Sequence, residues 1–344
     1  MSLGAYRVYE ADSRDTYMEE DAEFAKMLKL AGPRMHPVTI AVTDTGIYAD
    51  RPGGAYFQAT EKYLRSHLAG SSGNPVSWHR KDFCRIMADG TVGSAPPITS
   101  DSMWHGTAVA GQAAWGTDMI KLVDCRVTCD FTQNLPTKQV DLEARYVAAF
   151  DFAHARGARV VNISQSGISS NADDSAFRDA MLKHSDMLFV GNAGNVRFQA
   201  AAGVFSRRRR DEIPNLLLVG GCTPDGEFER SLDGMTQGWG WSPELVDIAV
   251  PGDYQELYTV PGLARAEGLE TYRDMGVSFG CPVASNIAAK MMLLCPSLTP
   301  EQLRKMIMAS ARTMSGLKGK NRVNGMISPM SCYEAAYRRW VPFR

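Results

Sequence analysis

Val38-Thr-Ile-Ala-Val42 runs through Thr43 into Asp44-Thr-Gly46. The run is short, apolar and β-branched, so it reads as a buried strand. Asp44 stands at the carboxyl end of that strand, and Gly46 permits a tight turn directly after it. Outward from this point the chain alternates. Segments 120–127, 159–163, 187–190, 216–220 and 246–249 read as further strands, and 106–115, 137–156, 173–184, 278–295 and 300–311 read as helices. Thr299 is placed to cap the last of these, with Pro300 at its first position. Strands alternating with helices predict an α/β fold, with a mostly parallel central sheet covered by helices on both faces. Chemistry in such folds gathers at the carboxyl ends of strands.

Two regions depart from this rhythm. Residues 1–36 are polar and acidic, and Met18, Phe24, Met27 and Leu28 recur at helical spacing. They predict an N-terminal extension carrying a peripheral helix over 16–30. Residues 51–102 are rich in Gly, Pro and Ser. They read as an insertion, or long surface loops, around one helix near 59–68. The remainder, 37–344, forms one domain.

Composition narrows the function classes. The 344 residues are 44% hydrophobic and 22% charged, as in ordinary globular proteins. With 37 basic and 38 acidic residues the net charge is −1, which gives no bulk attraction to nucleic acid or to an anionic membrane. No apolar run reaches the length of a membrane span. The N-terminus lacks a basic start followed by an apolar stretch, so it does not read as a secretory signal. The seven cysteines, at 84, 125, 129, 222, 281, 295 and 332, are scattered and contain no CxxC pair. They read as buried, reduced thiols rather than a zinc site, which points to the cytoplasm.

Four short motifs carry chemistry. Acyl transfer needs a nucleophile, a base to take its proton and a group to orient the base. Asp44 offers an orienting carboxylate at a strand end. His105 opens His-Gly-Thr-Ala-Val-Ala-Gly111 at the start of a helix. Ser278 lies in Gly276-Val-Ser-Phe-Gly-Cys-Pro282, in the first turn of a helix, where unsatisfied backbone N–H groups stabilise developing negative charge. Val190-Gly-Asn-Ala-Gly-Asn195 ends a strand, so the Asn195 amide can donate to an oxyanion beside the Ser278 N–H. Each motif alone is commonplace, and Asp-Thr-Gly by itself is usually a turn. Their coincidence and order carry the argument.

These motifs resemble those of the subtilases, the subtilisin-like serine proteases, whose triad runs Asp, His, Ser along the chain. Asp44-Thr-Gly46, His105-Gly-Thr107 with Gly111, Ala193-Gly-Asn195 and Gly276-Val-Ser-Phe-Gly-Cys-Pro282 match in order. Val161-Asn-Ile-Ser164, Ile213–Gly220, Ala249–Gly252 and Arg322-Val-Asn324 resemble other family segments, so the likeness spans about 37–336. The resemblance implies a subtilisin-like three-layer fold and a serine endopeptidase acting on a peptide or protein substrate. It implies Asp44, His105 and Ser278 as the triad and Asn195 as oxyanion donor. Ser164, Gln165, Ser166 and Gly167 would pair with the substrate backbone, and Gly191, Ala193 and Gly194 would rim a side-chain pocket.

The sequence departs from the family pattern in two ways. Val277 replaces a Thr, and Phe279-Gly280 replaces Met-Ala. The 61 positions from Asp44 to His105 exceed the spacing of compact subtilases. Two further readings keep the fold: a peptide transamidase or macrocyclase in which 51–102 shields the acyl-enzyme from water, and a catalytically inactive binding scaffold. Family members are mostly secreted, against the cytoplasmic reading of this sequence. The chemistry requires no cofactor. Some subtilases bind calcium, but no Asp-rich loop stands out here, and no metal ligands are assigned. His36, His67, His79, His154 and His184 lack motif context and read as structural or surface groups. Arg207–Arg210 reads as a solvated loop.

Overall fold

The computed structural model describes residues 13–32, 36–47, 64, 67, 79–84, 105–128, 139–165, 175–195, 213–228, 230–232, 235–237, 239–252, 255–258, 271–274 and 276–340. The helices are α1 (Ser13–Ala31), α2 (His105–Ala113), α3 (Gln139–Ala155), α4 (Ser175–Lys183), α5 (Val277–Leu294), α6 (Pro300–Ala309) and α7 (Pro329–Trp340). The sheet strands are β1 (Val38–Asp44), β2 (Arg80–Asp82), β3 (Ile120–Arg126), β4 (Ala158–Ile163), β5 (Leu188–Asn192) and β6 (Leu216–Cys222), followed by β9 (Ile248–Pro251), β12 (Arg312–Thr313) and β13 (Gly325–Met326). Two separate two-stranded antiparallel sheets are β7 (Arg230–Leu232) with β8 (Met235–Gln237), and β10 (Gln255–Tyr258) with β11 (Thr271–Asp274).

The nine sheet strands run in the order β12-β13-β9-β6-β5-β4-β1-β3-β2. Every pairing is parallel except β12 with β13. After β3 and β2 fall on one side of β1, the chain crosses to place β4 on the other. The order therefore reverses at β1, and crevices at the carboxyl ends of strands open at such points. Asp44 ends β1, and Ser164 directly follows β4.

Alternation along the strands builds two cores. Ile40 and Val42 face one core with Val160, Val190, Val219 and Val250, covered by α2 and α5 and by residues of α1, α6 and α7. Ala41 faces the other with Val123, Val161 and Phe189, against Tyr146 and Phe150 of α3 and Phe177 of α4. The result is the expected three-layer arrangement.

α5 has the length and composition of a membrane span, but 94% of it is buried inside the protein. A helix apolar on every side is what the middle of a large core requires.

Two features differ from expectation. The stretch 51–102 is not purely loop and helix, because Arg80–Asp82 adds β2 to the edge of the sheet beside β3. This strand has no apolar alternation. Charge holds it instead: Arg80 pairs with Asp124 at 2.9 Å, and Asp82 pairs with Arg126 at 3.3 Å. Of the helix expected near 59–68, only Leu64 and His67 are described, and both are helical and buried. The second difference is α7, which buries Cys332, Tyr333 and Ala336 against the first core.

The N-terminal helix is more than peripheral. Phe24 of α1 is fully buried, its ring 5.2 Å from that of Tyr333. Asp21 pairs with Lys290 of α5, an ammonium group only 1% exposed that lies 5.4 Å from the Phe24 ring. Lys290 lies twelve residues beyond Ser278, or about 18 Å along the helix axis. α1 therefore docks at the end of α5 remote from the serine. Removing one partner of a buried pair leaves a buried charge poorly compensated, at about 3–5 kcal/mol. Asp21→Ala is expected to lower stability by about that amount in urea unfolding. Glu334→Ala, which breaks an exposed pair with Arg338, should change it by no more than about 0.5 kcal/mol.

Candidate active site

The site begins where β1 ends. Asp44 is fully buried, and its Oδ1 accepts from the Thr45 N–H at 2.8 Å and from His105 Nδ1 at 2.7 Å. A carboxylate only accepts, so Nδ1 carries the shared proton, and the lone pair of the neutral ring lies on Nε2. The His105 side chain is 22% exposed, against full burial of Asp44.

Backbone sterics fix this pair. Gly46 has φ +106°, a conformation that glycine adopts at little cost. The Gly106 N–H donates to Thr45 Oγ1 at 2.8 Å. A Cβ on Gly106 would lie 2.2 Å from the Gly46 carbonyl oxygen. The first turn of α2 therefore rests directly on the Asp44 turn, with no room between them for a side chain. From below, β3 holds the turn through two buried charges. Arg126 Nε donates to the Thr45 carbonyl at 3.0 Å, and Asp124 Oδ2 accepts from the Ile47 N–H at 3.2 Å.

Ser278 is the second residue of α5 and is half-buried. Four residues on, Pro282 has no N–H to give the Ser278 carbonyl, so one helical bond is missing. Ser164 Oγ supplies it, donating to that carbonyl at 2.7 Å. Asn162 Nδ2 donates to Ser164 Oγ at 2.9 Å, and Ser285 Oγ donates to Asn162 Oδ1 at 2.9 Å. A closed polar chain thus ties the end of β4 to the first turns of α5. The Phe279 ring lies 5.3 Å from the His105 ring at an interplanar angle of 40°, bringing the residue beside the serine against the imidazole.

Asn195 follows β5 and is exposed. Its Oδ1 accepts from the Val277 N–H at 2.8 Å, at the very start of α5. That bond fixes the amide, with Nδ2 on the Gly276 side, 3.4 Å from where a Cβ on that glycine would lie. Cys281, one turn below, is not a competing nucleophile. Burial pushes its thiol pKa far up, and its Sγ lies 3.3 Å from the Val190 carbonyl.

The remaining predicted residues divide. Ser164 is buried and occupied with Ser278, while Gln165 is half-buried and accepts from Thr128 Oγ1. Gly191 sits inside the sheet, registered between Ile163 and Leu218. Ala193 and Gly194 form the turn after β5, where Gly194 has φ +94° and its carbonyl accepts from the Gly240 N–H at 2.8 Å. Ser166, Gly167 and Arg207–Arg210 lie outside the described residues. Asp44, His105, Ser278, Asn195 and Ser164 all gather at one edge of the sheet, around the N-terminus of α5.

The profile of the subtilase family matches residues 36–326. The chain belongs to the subtilase family, a family of serine proteases. No curated protein matches it in sequence. Among solved structures, this subtilase resembles the one described in the structural basis of subtilase cytotoxin SubAB assembly. That match has a TM-score of 0.63 and 17% identity, over 93% of this chain and 96% of that one. It also resembles MycP1 crystallised with its N-terminal propeptide removed, with a TM-score of 0.63 and 20% identity over 94% and 97%. A cold-adapted subtilisin-like serine proteinase gives a TM-score of 0.53 and 22% identity over 83% and 88%. At these identities the likeness is one of fold.

The supporting residues Asp124, Arg126, Asn162 and Ser285 were not singled out from sequence. The one signal was two charges, Asp124 and Arg126, two apart in the otherwise apolar end of β3. Ser164→Ala removes the donor to Ser278 and leaves the buried Asn162 amide without its acceptor. A loss of about 1–3 kcal/mol is expected in denaturant unfolding, against little change for Ser315→Ala on the exposed surface.

Proposed function

We propose that this subtilase is a serine endopeptidase that cleaves peptide bonds through an acyl-enzyme on Ser278. The observation that carries the reading is the 2.7 Å bond from His105 Nδ1 to the buried Asp44 carboxylate, at the edge where α5 presents Ser278. Asp44 holds the imidazole in the tautomer with its lone pair on Nε2 and stabilises the imidazolium that forms. His105 Nε2 takes the Ser278 hydroxyl proton as Oγ attacks the substrate carbonyl. The oxyanion rests on Asn195 Nδ2 and the Ser278 N–H. The ring then gives its proton to the leaving amine, and water, deprotonated by the same nitrogen, releases the acyl group.

The substrate enters as an extended strand along Ser164–Gly167, held by main-chain hydrogen bonds. The Ser164 side chain is committed to the helix, so its backbone rather than its hydroxyl meets the substrate. Ala193 and Gly194 rim the side-chain pocket. The reaction balances without a cofactor.

Incubation with an unstructured protein, followed by mass spectrometry of the products, tests this reading. Wild type is expected to give pairs of fragments that sum to the parent plus one water, and Ser278→Ala none. Asn195→Gly should lower kcat by about 100- to 1,000-fold while the protein stays folded. Products that are joined or cyclised with no added water would replace hydrolysis with acyl transfer to an amine. Equal cleavage by Ser278→Ala and wild type would remove the reading.

A further inference from the structure

His154 ends α3, His184 follows α4, and Asp186 lies in the turn that leads into β5. One ring nitrogen of each histidine and one carboxylate oxygen of Asp186 lie within 4.8 Å of one another. The two rings are 4.6 Å apart. We infer that these three side chains form a binding site for a divalent transition-metal ion of the zinc class, separate from the serine site.

Three observations support it. The first is spacing. His154 Nε2 and Asp186 Oδ2 are 3.0 Å apart. Bonds of about 2.0–2.1 Å at a tetrahedral angle place two ligand atoms about 3.3 Å apart. An ion replacing the proton between them needs almost no movement there, and side-chain rotation brings in the third group. The second is the donor set. Two imidazoles and one carboxylate suit zinc and its neighbours, whereas calcium and magnesium take oxygen ligands. The third is the surrounding shell. His184 Nε2 donates to Asp151 Oδ1 at 2.6 Å, and Lys183 Nζ lies 2.7 Å from the same oxygen. A carboxylate behind a metal-bound histidine fixes its ring and raises its basicity. With the imidazoles neutral, these five side chains carry one net negative charge.

The site sits where β4 and β5 begin, and the serine site lies where they end. The strands are six and five residues long, so the two sites are roughly 15–20 Å apart along the sheet. The ion ties the ends of α3 and α4 to the start of β5. It takes no part in acyl transfer, and its presence does not depend on the protease reading.

The test uses the full chain, stripped with a chelator and titrated with Zn²⁺ alone. Calorimetry and metal analysis should give one ion per chain, with a rise in Tm. His154→Ala and Asp186→Asn alter exposed groups and should fold normally; each should lose the site. Asp151→Asn should weaken binding by about 10- to 100-fold. His105→Ala should bind as wild type does. Absence of zinc uptake by wild type would overturn the proposal. So would uptake that survives both His154→Ala and Asp186→Asn, or that disappears in His105→Ala.

Discussion

The α5 helix is surrounded by protein along its length, and its first turn must nevertheless reach the carboxyl edge of the sheet. A buried helix has to satisfy every main-chain group it takes out of water. Pro282 leaves the Ser278 carbonyl without its helical donor, and the hydroxyl of Ser164 takes that place. The Val277 N–H, orphaned at the helix start, is taken by the side chain of Asn195. Satisfying these two groups ties the end of β4 to Ser278 itself and the end of β5 to Val277 before it. The same bonds that complete the helix thereby assemble the site.

On the far side of the cleft the constraint is steric. Gly46 and Gly106 let two backbones meet with no side chain between them, so β1 and α2 share one junction. The charged residues beneath it are costly to bury, and each is matched. Arg126 is shared between the Thr45 carbonyl and Asp82, and Asp124 between Arg80 and the Ile47 N–H. Such networks add little net stability, but removing one member exposes the desolvation cost of the others. Their effect is geometric, since they set where Asp44 stands and hence that Nδ1 is the His105 nitrogen it engages.

Much of this was legible in the sequence, for identifiable reasons. Strands buried on both faces are mostly apolar runs, so β1, β3, β4, β5 and β6 could be read within a few residues of their bounds. The glycines and the Asp, His, Asn and Ser motifs flanked those runs. What could not be read depends on contacts between distant segments. β2 is Arg-Lys-Asp, with no apolar pattern, and becomes a strand only because Asp124 and Arg126 are buried beside it. Lys290 looks like a surface residue until α1 brings Asp21 to it, 269 residues away. His154 and His184 had no motif context, because the loops that bring them together are thirty residues apart. The sequence gives no sign that the Ser164 hydroxyl meets the carbonyl that Pro282, 118 residues on, leaves without a donor.

Labelling with a fluorophosphonate, followed by intact mass and peptide mapping, tests most directly whether Asp44, His105 and Ser278 act as one unit. A single adduct on Ser278 in wild type is predicted, with none on His105→Ala and much slower labelling of Asp44→Asn. Labelling of Ser278 at the same rate in all three proteins, or no labelling of folded wild type, would contradict the account.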